Sequence, residues 1–210
     1  MAVGIHAFGA YIPKARLQRE VMARAYSWFN PSLASLGQGE RAIANWDEDA
    51  LTMAVEAARN ALTPQQYKQI DGLYLASTSL PFQDRQNAGI AAEAMHLGND
   101  LHTMDITGSQ RAGTSALLTA LQIAVGNRRN TLVIGGEKRQ TKASSPLQLT
   151  SGDGGAALLV GPGKGVAALV GYATLSVDFV DHYRGQNQPF DYVWEERWVR
   201  DEGFLNIVPN

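Results

Sequence analysis

A short segment that joins a predicted strand to a predicted helix carries the residues best placed for chemistry. It runs from Met104 to Thr114 and reads MDITGSQRAGT. A sharp turn of small residues before a helix presents side chains and backbone N–H groups to a negative charge that develops during a reaction. An ordinary strand-to-helix turn, with glycine for tight packing, has the same pattern. The segment alone leaves both interpretations open.

Composition narrows the possible functions. The chain has 210 residues, of which 45% are hydrophobic and 18% charged, as in ordinary folded enzymes. The 18 basic and 20 acidic residues nearly cancel, so nothing favours binding to nucleic acid or to an anionic membrane. The sequence has no signal-peptide pattern and no apolar run as long as a membrane span. We therefore expect a cytoplasmic protein that binds neither nucleic acid nor membrane.

The cysteine and histidine content of the chain argues against metal binding and thiol chemistry. The chain has no cysteine, which removes disulfides, thiolate metal sites and a cysteine nucleophile. The histidines are scattered and lack the spacing of a zinc site, so we expect no metal. They are His6, His96, His102 and His182.

Hydrophobic periodicity predicts alternating strands and helices. Strands are predicted at Val3–Tyr11, Ile70–Ala76, Leu101–Thr107, Thr131–Gly136, Gly154–Val160 and Val166–Ser176. Helices are predicted at Gln18–Phe29, Asp47–Leu62, Arg85–Met95 and Gly113–Val125. Uncharged strands separated by helices indicate a parallel or mixed α/β sheet. The last two strands are joined by a short turn and should therefore be antiparallel to each other.

One predicted helix requires cover on every side. From Ala112 to Val125 it reads AGTSALLTALQIAV and has no charged residue. A helix that is apolar all round is buried all round. A single sheet would leave its outer face in water, so we expect a second layer from elsewhere in the protein or from a partner.

Several stretches of the chain, taken in order, resemble the thiolase superfamily. The segment from Asp105 to Thr114 is similar to the active-site elbow of that superfamily, and archaeal-type hydroxymethylglutaryl-CoA synthases and ketoacyl synthase III are the most similar branches. The other matching stretches are Gly9–Pro13 with Arg16 and Leu17, Gly39–Ala42, Asp47–Ala58, Ala76–Phe82, Gly152–Ala157 and Asp178–Arg184. Together they cover nearly the whole chain.

The resemblance implies an α/β thiolase-like fold, of which this chain would be the first βαβαβαββ half. We expect a mixed five-stranded sheet and a buried central helix within residues 1–165. Residues 166–210 would form a connecting strand and tail that lead to a missing or separately encoded C-terminal half. That half would hold the family's catalytic histidine and its asparagine or second histidine. The chain would be a fragment or one part of a split enzyme, in a homodimer or hetero-oligomer, with an OB-fold protein as a further partner.

Two residues depart from the family's catalytic pattern. Gln110 stands where the resemblance places the acyl-accepting cysteine, and a carboxamide is not a nucleophile at neutral pH. Thr78 stands where the synthase branch has its general acid/base glutamate, and a hydroxyl does not titrate in the useful range. Ser109 is beside the elbow without an evident base, which favours a packing role. Gln110, Ser109 and Thr78 are thus the candidate pocket.

These departures favour acyl-thioester chemistry without an acyl-enzyme. The predicted substrate is a coenzyme A or acyl-carrier thioester, and decarboxylation, aldol-type cleavage or a Claisen-related step is expected. Arg111, Lys138 and Arg139 are candidate contacts to the phosphates of coenzyme A, although cations after a strand are often only solvated. A non-catalytic scaffold subunit is the alternative. A conventional hydroxymethylglutaryl-CoA synthase is third.

Overall fold

The computed structural model describes residues 2–208. The strands are β1 (Val3–Tyr11), β2 (Ala15–Gln18), β3 (Glu40–Ile43), β4 (Gly72–Ala76), β5 (His102–Ile106), β6 (Thr131–Glu137), β7 (Gly154–Pro162), β8 (Ala167–Ala168), β9 (His182–Tyr183) and β10 (Tyr192–Val193). The α-helices are α1 (Arg19–Tyr26), α2 (Ala50–Ala61), α3 (Pro64–Tyr67), α4 (Asn87–Ala94), α5 (Ala112–Asn127), α6 (Pro146–Thr150), α7 (Glu196–Trp198) and α8 (Leu205–Ile207). A 3-10 helix covers Pro31–Leu36, and a π-helix covers Val199–Phe204.

One mixed sheet organises the chain, in the order β5-β4-β6-β7-β1-β8. Strand β4 is parallel to β5 and β6, whereas β7 is antiparallel to β6 and β1. Side chains alternate between the two faces of the sheet. Leu73 and Leu75 of β4 pack with α2 and α4 on one face. Tyr74 and Ala76 pack with α5 on the other face, so each face has its own apolar core.

Local signals explain why α2 forms where it does. Asp49 accepts a hydrogen bond from the backbone N–H of Thr52 at 2.8 Å, and Thr52 Oγ1 accepts from that of Asp49 at 2.8 Å. This reciprocal cap satisfies two N–H groups at the start of the helix. The helix then lies very close to the sheet, because a Cβ added at Gly136 would be 2.0 Å from Ala50 O. At Gly155 it would be 2.4 Å from Met53 O.

The outer face of α5 is only partly covered by the described part of the chain. Ala112, Ala116 and Ala120 are buried against the sheet, whereas Gln122 and Val125 are exposed. From beyond β8, the hydroxyl of Tyr172 accepts a hydrogen bond from the Gln122 amide at 2.9 Å. The second layer expected over this helix stays a prediction.

The structure corrects three predictions. The sheet has six strands instead of five, since the short β8 adds to the edge beyond β1. The strand predicted at Val166–Ser176 is reduced to Ala167–Ala168, because the chain leaves the edge after Leu169 and Val170 is fully exposed. Both β7 and β8 pair antiparallel to β1, so they run in the same direction and the predicted antiparallel arrangement is wrong.

A hairpin was also missed. Strands β2 and β3 pair from Ala15 opposite Ile43 to Gln18 opposite Glu40, where no strand had been predicted. The remaining predicted helices and strands are present with boundaries shifted by a few residues. No helix between residues 2 and 208 has both the length and the apolar character that crossing a membrane requires.

Candidate functional site

The predicted elbow lies between β5 and α5. Gly108 has a φ of 82°, a left-handed conformation that glycine adopts without strain, and the chain turns sharply there. The Ser109 hydroxyl oxygen accepts from the backbone N–H of Arg111 at 3.2 Å. No histidine or carboxylate from residues 2–208 makes a hydrogen bond to this hydroxyl.

Gln110 projects from the elbow into a network of donors. Its amide oxygen and nitrogen are assigned from that network, because the two atoms have the same outline. With the oxygen facing the donors, Oε1 accepts from Arg139 at 2.6 Å (Nη1) and 3.1 Å (Nη2) and from His182 Nε2 at 2.7 Å. No described residue accepts a hydrogen bond from the amide nitrogen, and Gln110 is exposed to the cleft.

His182 is held from its other side by an aspartate. Asp181 Oδ1 lies 2.6 Å from His182 Nδ1 and also accepts from the backbone N–H of His182 at 2.7 Å. The carboxylate therefore fixes the ring so that Nε2 points to Gln110. A carboxylate that orients an imidazole in this way is the usual arrangement for defining which ring nitrogen acts on a neighbour.

One buried carboxylate joins the elbow region to the tail, which we define as residues 169–208. The side chain of Asp191 is only 3% exposed. Its Oδ2 lies 2.7 Å from Arg139 Nη2, and its Oδ1 lies 3.8 Å from Arg184 Nη1. The Arg184 guanidinium also donates to the backbone oxygen of Thr78. Two arginines from different elements thus share one aspartate as their ion-pair partner.

Thr78 lies at the edge of the same cleft in a loop fixed by Glu137. The Glu137 carboxylate accepts from the backbone N–H of Thr78 at 2.5 Å and from its hydroxyl at 3.2 Å. It also accepts from the hydroxyl of Ser79 at 2.8 Å. Thr78 therefore has a defined position, and its hydroxyl is occupied by a carboxylate.

The cleft around these residues has a volume of about 450 Å³. Its charged and titratable lining residues are Arg139, Asp178, Asp181, His182, Tyr183, Arg184 and Asp191. Within residues 2–208 no cluster of histidines and carboxylates is suited to hold a metal ion. The cleft therefore offers hydrogen-bond donors and paired charges for a polar, uncharged group such as a carbonyl.

The structure separates the residues predicted from the sequence into two groups. Ser109, Gln110, Thr78 and Arg139 line the cleft together. Arg111 is exposed at the start of α5 and does not line it.

Lys138 also lies outside the cleft lining. Its ammonium donates to Asn45 O at 3.0 Å and to Glu48 O at 2.6 Å. The backbone N–H of Asn45 and the hydroxyl of Tyr11 hydrogen-bond to the Glu48 carboxylate and lower the pKa of Glu48 below its ordinary value. Lys138 thus fastens the loop before α2.

The sequence interpretation missed His182, Asp181, Arg184 and Asp191. All four come from the tail, and none has a spacing that suggests a site. The only available signal was the resemblance of Asp178–Arg184 to the family, which did not indicate any role. Their relation to Gln110 exists only in three dimensions.

Comparison with known proteins shows which proteins this chain is similar to. The sequence is 34% identical over 192 residues to the hydroxymethylglutaryl-CoA synthase of Methanopyrus kandleri, covering 90% of this chain and 55% of the relative. It is also 34% identical over 194 residues to that of Methanocaldococcus jannaschii, covering 89% and 55%. The chain is homologous to the hydroxymethylglutaryl-CoA synthases. It spans just over half their length. No family model matches the chain.

Solved structures of such synthases have the same fold. An HMG-CoA synthase complexed with CoA superimposes with a TM-score of 0.78 at 22% identity, over 92% of this chain and 50% of that one. MvaS in complex with 3-hydroxy-3-methylglutaryl coenzyme A gives 0.81 at 23% identity, over 95% and 50%. The predicted thiolase-like fold and the resemblance to one half of these synthases are thereby confirmed. The placement of Gln110 at the family's cysteine position stays a prediction.

Proposed function

We propose that this chain forms the carbonyl-binding side of an acyl-thioester site. The enzyme would make or break a carbon–carbon bond next to the thioester carbonyl without an acyl-enzyme. The observation that carries the proposal is the Gln110 carboxamide, whose oxygen is occupied by Arg139 and His182. Its N–H groups are then available to a carbonyl oxygen in the cleft. A carbonyl that accepts such a bond is better able to take up negative charge.

Decarboxylation of a malonyl thioester is the reaction that this arrangement supports best. The bond between the α-carbon and the carboxylate breaks, carbon dioxide leaves, and the electron pair moves into the thioester to give an enolate. The enolate oxygen would accept from Gln110, and water would return a proton to the α-carbon. A donor fixed at the developing oxyanion lowers the barrier because it needs no reorganisation during the reaction.

The side chains at the elbow favour this reaction over acyl transfer. The chain has no cysteine, and the Ser109 hydroxyl is engaged with the backbone of Arg111. The relatives are named as synthases, but the resemblance places Gln110 and Thr78 where the family has its cysteine and its glutamate. We therefore expect no conventional hydroxymethylglutaryl-CoA synthesis.

Coenzyme A would be bound mainly by parts of the protein other than the predicted cations. Arg139 is engaged by Asp191 and Gln110, and the Lys138 ammonium is engaged by the loop before α2. Arg111 remains the candidate contact to a phosphate, because it is exposed beside the elbow. The division into residues 1–165 and 166–210 also remains a prediction.

The test is turnover by the full-length protein. Malonyl-CoA and a panel of hydroxyacyl-CoAs are incubated with the wild type, and products are followed by mass spectrometry. Gln110→Glu keeps the shape and the accepting oxygen but removes the donor, so we expect loss of roughly 100- to 1000-fold in kcat. Gln83→Glu, at an exposed glutamine away from the cleft, is the matched control. Absence of both turnover and binding with every thioester would overturn the proposal.

A non-catalytic scaffold subunit is the second candidate, and one observation favours it. The outer face of α5 is only partly covered, because Val125 is exposed and Gln122 is exposed although it donates to the hydroxyl of Tyr172. The protein that packs on this face would be a catalytic thiolase-like protein or an OB-fold partner. Purification from the native host distinguishes the two candidates. A scaffold should retain a second protein in fixed ratio, whereas a homodimer with no partner and with turnover would contradict it.

A further inference from the structure

The orientation of one carboxamide decides what kind of ligand the cleft accepts. A glutamine side chain offers an acceptor at one end and two donors at the other, within the same outline. If the oxygen of Gln110 faced the cleft, the site would favour hydrogen-bond donors. If the nitrogen faces it, the site favours an acceptor such as a carbonyl oxygen. The neighbours of Gln110 therefore control the specificity of the cleft.

His182 constrains this orientation because both of its ring nitrogens face oxygen atoms. Nδ1 lies 2.6 Å from the Asp181 carboxylate, and Nε2 lies 2.7 Å from Gln110 Oε1. A carboxylate and an amide oxygen only accept hydrogen bonds. Both contacts are satisfied only when the ring donates from both nitrogens, which requires the imidazolium form.

Arg139 supplies the second constraint and is itself held in place. Its Nη2 lies 2.7 Å from Asp191 Oδ2 and 3.1 Å from Gln110 Oε1, and its Nη1 lies 2.6 Å from the same amide oxygen. The arginine side chain is only 17% exposed. Since guanidinium stays charged at every relevant pH, Arg139 is a constant donor. His182 is the variable one.

We propose that His182 and Arg139 are positioning residues that turn the nitrogen of Gln110 toward the cleft. The orientation itself follows from the contacts of the carboxamide. The ligand class, a thioester carbonyl, rests on the proposed function. Two cationic donors on the amide oxygen also polarise the carboxamide and strengthen its N–H groups as donors.

The orientation of Gln110 depends on the proton that His182 carries. A neutral imidazole donates from one nitrogen only, so it can serve only one of the two oxygens. The Asp181 carboxylate is the stronger acceptor, so the contact to Gln110 is the one that is lost. The other charged groups near the ring are Arg139, Asp178, Arg184 and Asp191.

The direct test observes the carboxamide and does not depend on turnover. In full-length protein labelled with ¹⁵N-glutamine, the Gln110 side-chain signal is assigned by its absence in Gln110→Glu. We expect this signal to shift with pH in the wild type, as the ring changes between donating from two nitrogens and from one. His182→Leu should abolish the titration. His182→Gln, which restores a neutral donor, should give a signal that is independent of pH.

His96→Asn is the matched control, because His96 is exposed and its φ of 54° suits asparagine. It should leave the Gln110 titration unchanged. A Gln110 signal that ignores pH in the wild type, or that titrates normally in His182→Leu, overturns the inference. If His182→Leu does not fold, His182→Gln still decides the matter.

Kinetics separate this inference from the proposed function. With malonyl-CoA, His182→Leu should lower kcat about 10-fold, and His182→Gln should stay within about threefold of the wild type while losing the high-pH decline. If His182 had only a structural role, His182→Leu and His182→Gln would lower the activity to a similar extent. A wild type with a titrating Gln110 signal but no turnover keeps the inference on orientation and removes the proposed function. Turnover without the titration does the reverse.

Discussion

The sheet core and the tail are held together by different forces. In the core, small and apolar side chains of α2, α4 and α5 fill the two faces of the sheet, and residues such as Leu73 and Leu132 are fully buried. In residues 169–208 Gly203 is the one residue buried as a whole, although the side chain of Asp191 is buried too, and the elements are short. Yet the tail supplies His182, Arg184 and Asp191 to the cleft. Burial therefore indicates what stabilises this chain and does not indicate what completes its site.

The largest expected effect comes from the core. Gly136→Ala would place a Cβ 2.0 Å from Ala50 O, and the three nearest atoms are all backbone atoms of Ala50, which leaves little room to adjust. We expect a loss of about 3 kcal/mol in the free energy of unfolding, or failure to fold. Urea unfolding measures it. The control is Gly126→Ala, whose Cβ would meet nothing within 4 Å and which should be neutral or slightly stabilising. Equal stability of both variants would show that α2 can move.

The next effect is confined to the tail. Asp191→Asn leaves Arg139 and Arg184 without their shared counter-ion, so we expect a local loss of about 2 kcal/mol. The tail should then be cleaved roughly 30-fold faster by a protease under native conditions, while the unfolding midpoint of the core stays the same. Asp201→Asn, at an exposed pair with Arg200, should have almost no effect. A lowered midpoint of the core in Asp191→Asn would mean that the two regions unfold as one.

The smallest effect concerns a polar contact of the core and depends on pH. The pKa of Glu48 is lowered by the N–H of Asn45 and the hydroxyl of Tyr11. Because the pKa is lower in the folded protein than in the unfolded chain, ionised Glu48 stabilises the fold at pH values above its ordinary pKa. This stabilisation is lost as the pH falls through the lowered pKa. The difference in thermal midpoint between the wild type and Glu48→Gln should therefore be present at pH 7 and shrink below about pH 4. The exposed Glu20→Gln should show no such trend.

The core was predictable because its signals are local or periodic. Uncharged apolar runs marked β4 and β6, and the charge-free run after Arg111 marked α5. The hairpin of β2 and β3 was missed because each strand is only four residues long. The strand after Val166 was overestimated because an apolar pattern does not reveal whether an edge partner continues.

The site was predictable only in part, for a related reason. The turn chemistry at Gly108, Ser109 and Gln110 can be read from neighbouring residues. The role of Lys138 cannot be read from neighbouring residues, because its partners Asn45 O and Glu48 O belong to a loop that is distant in sequence. His182 likewise reaches Gln110 from a segment that has no strong periodicity.

The carboxamide at the elbow limits how far the activity of one homologue can be inferred from that of another. A related protein could keep the glutamine and lose the two cations behind it. Its pocket would have the same outline, yet it would present an oxygen where this one presents a nitrogen. Identity at the glutamine alone is thus an insufficient criterion for assigning the reaction. The residues to compare are the three together: Gln110, Arg139 and His182.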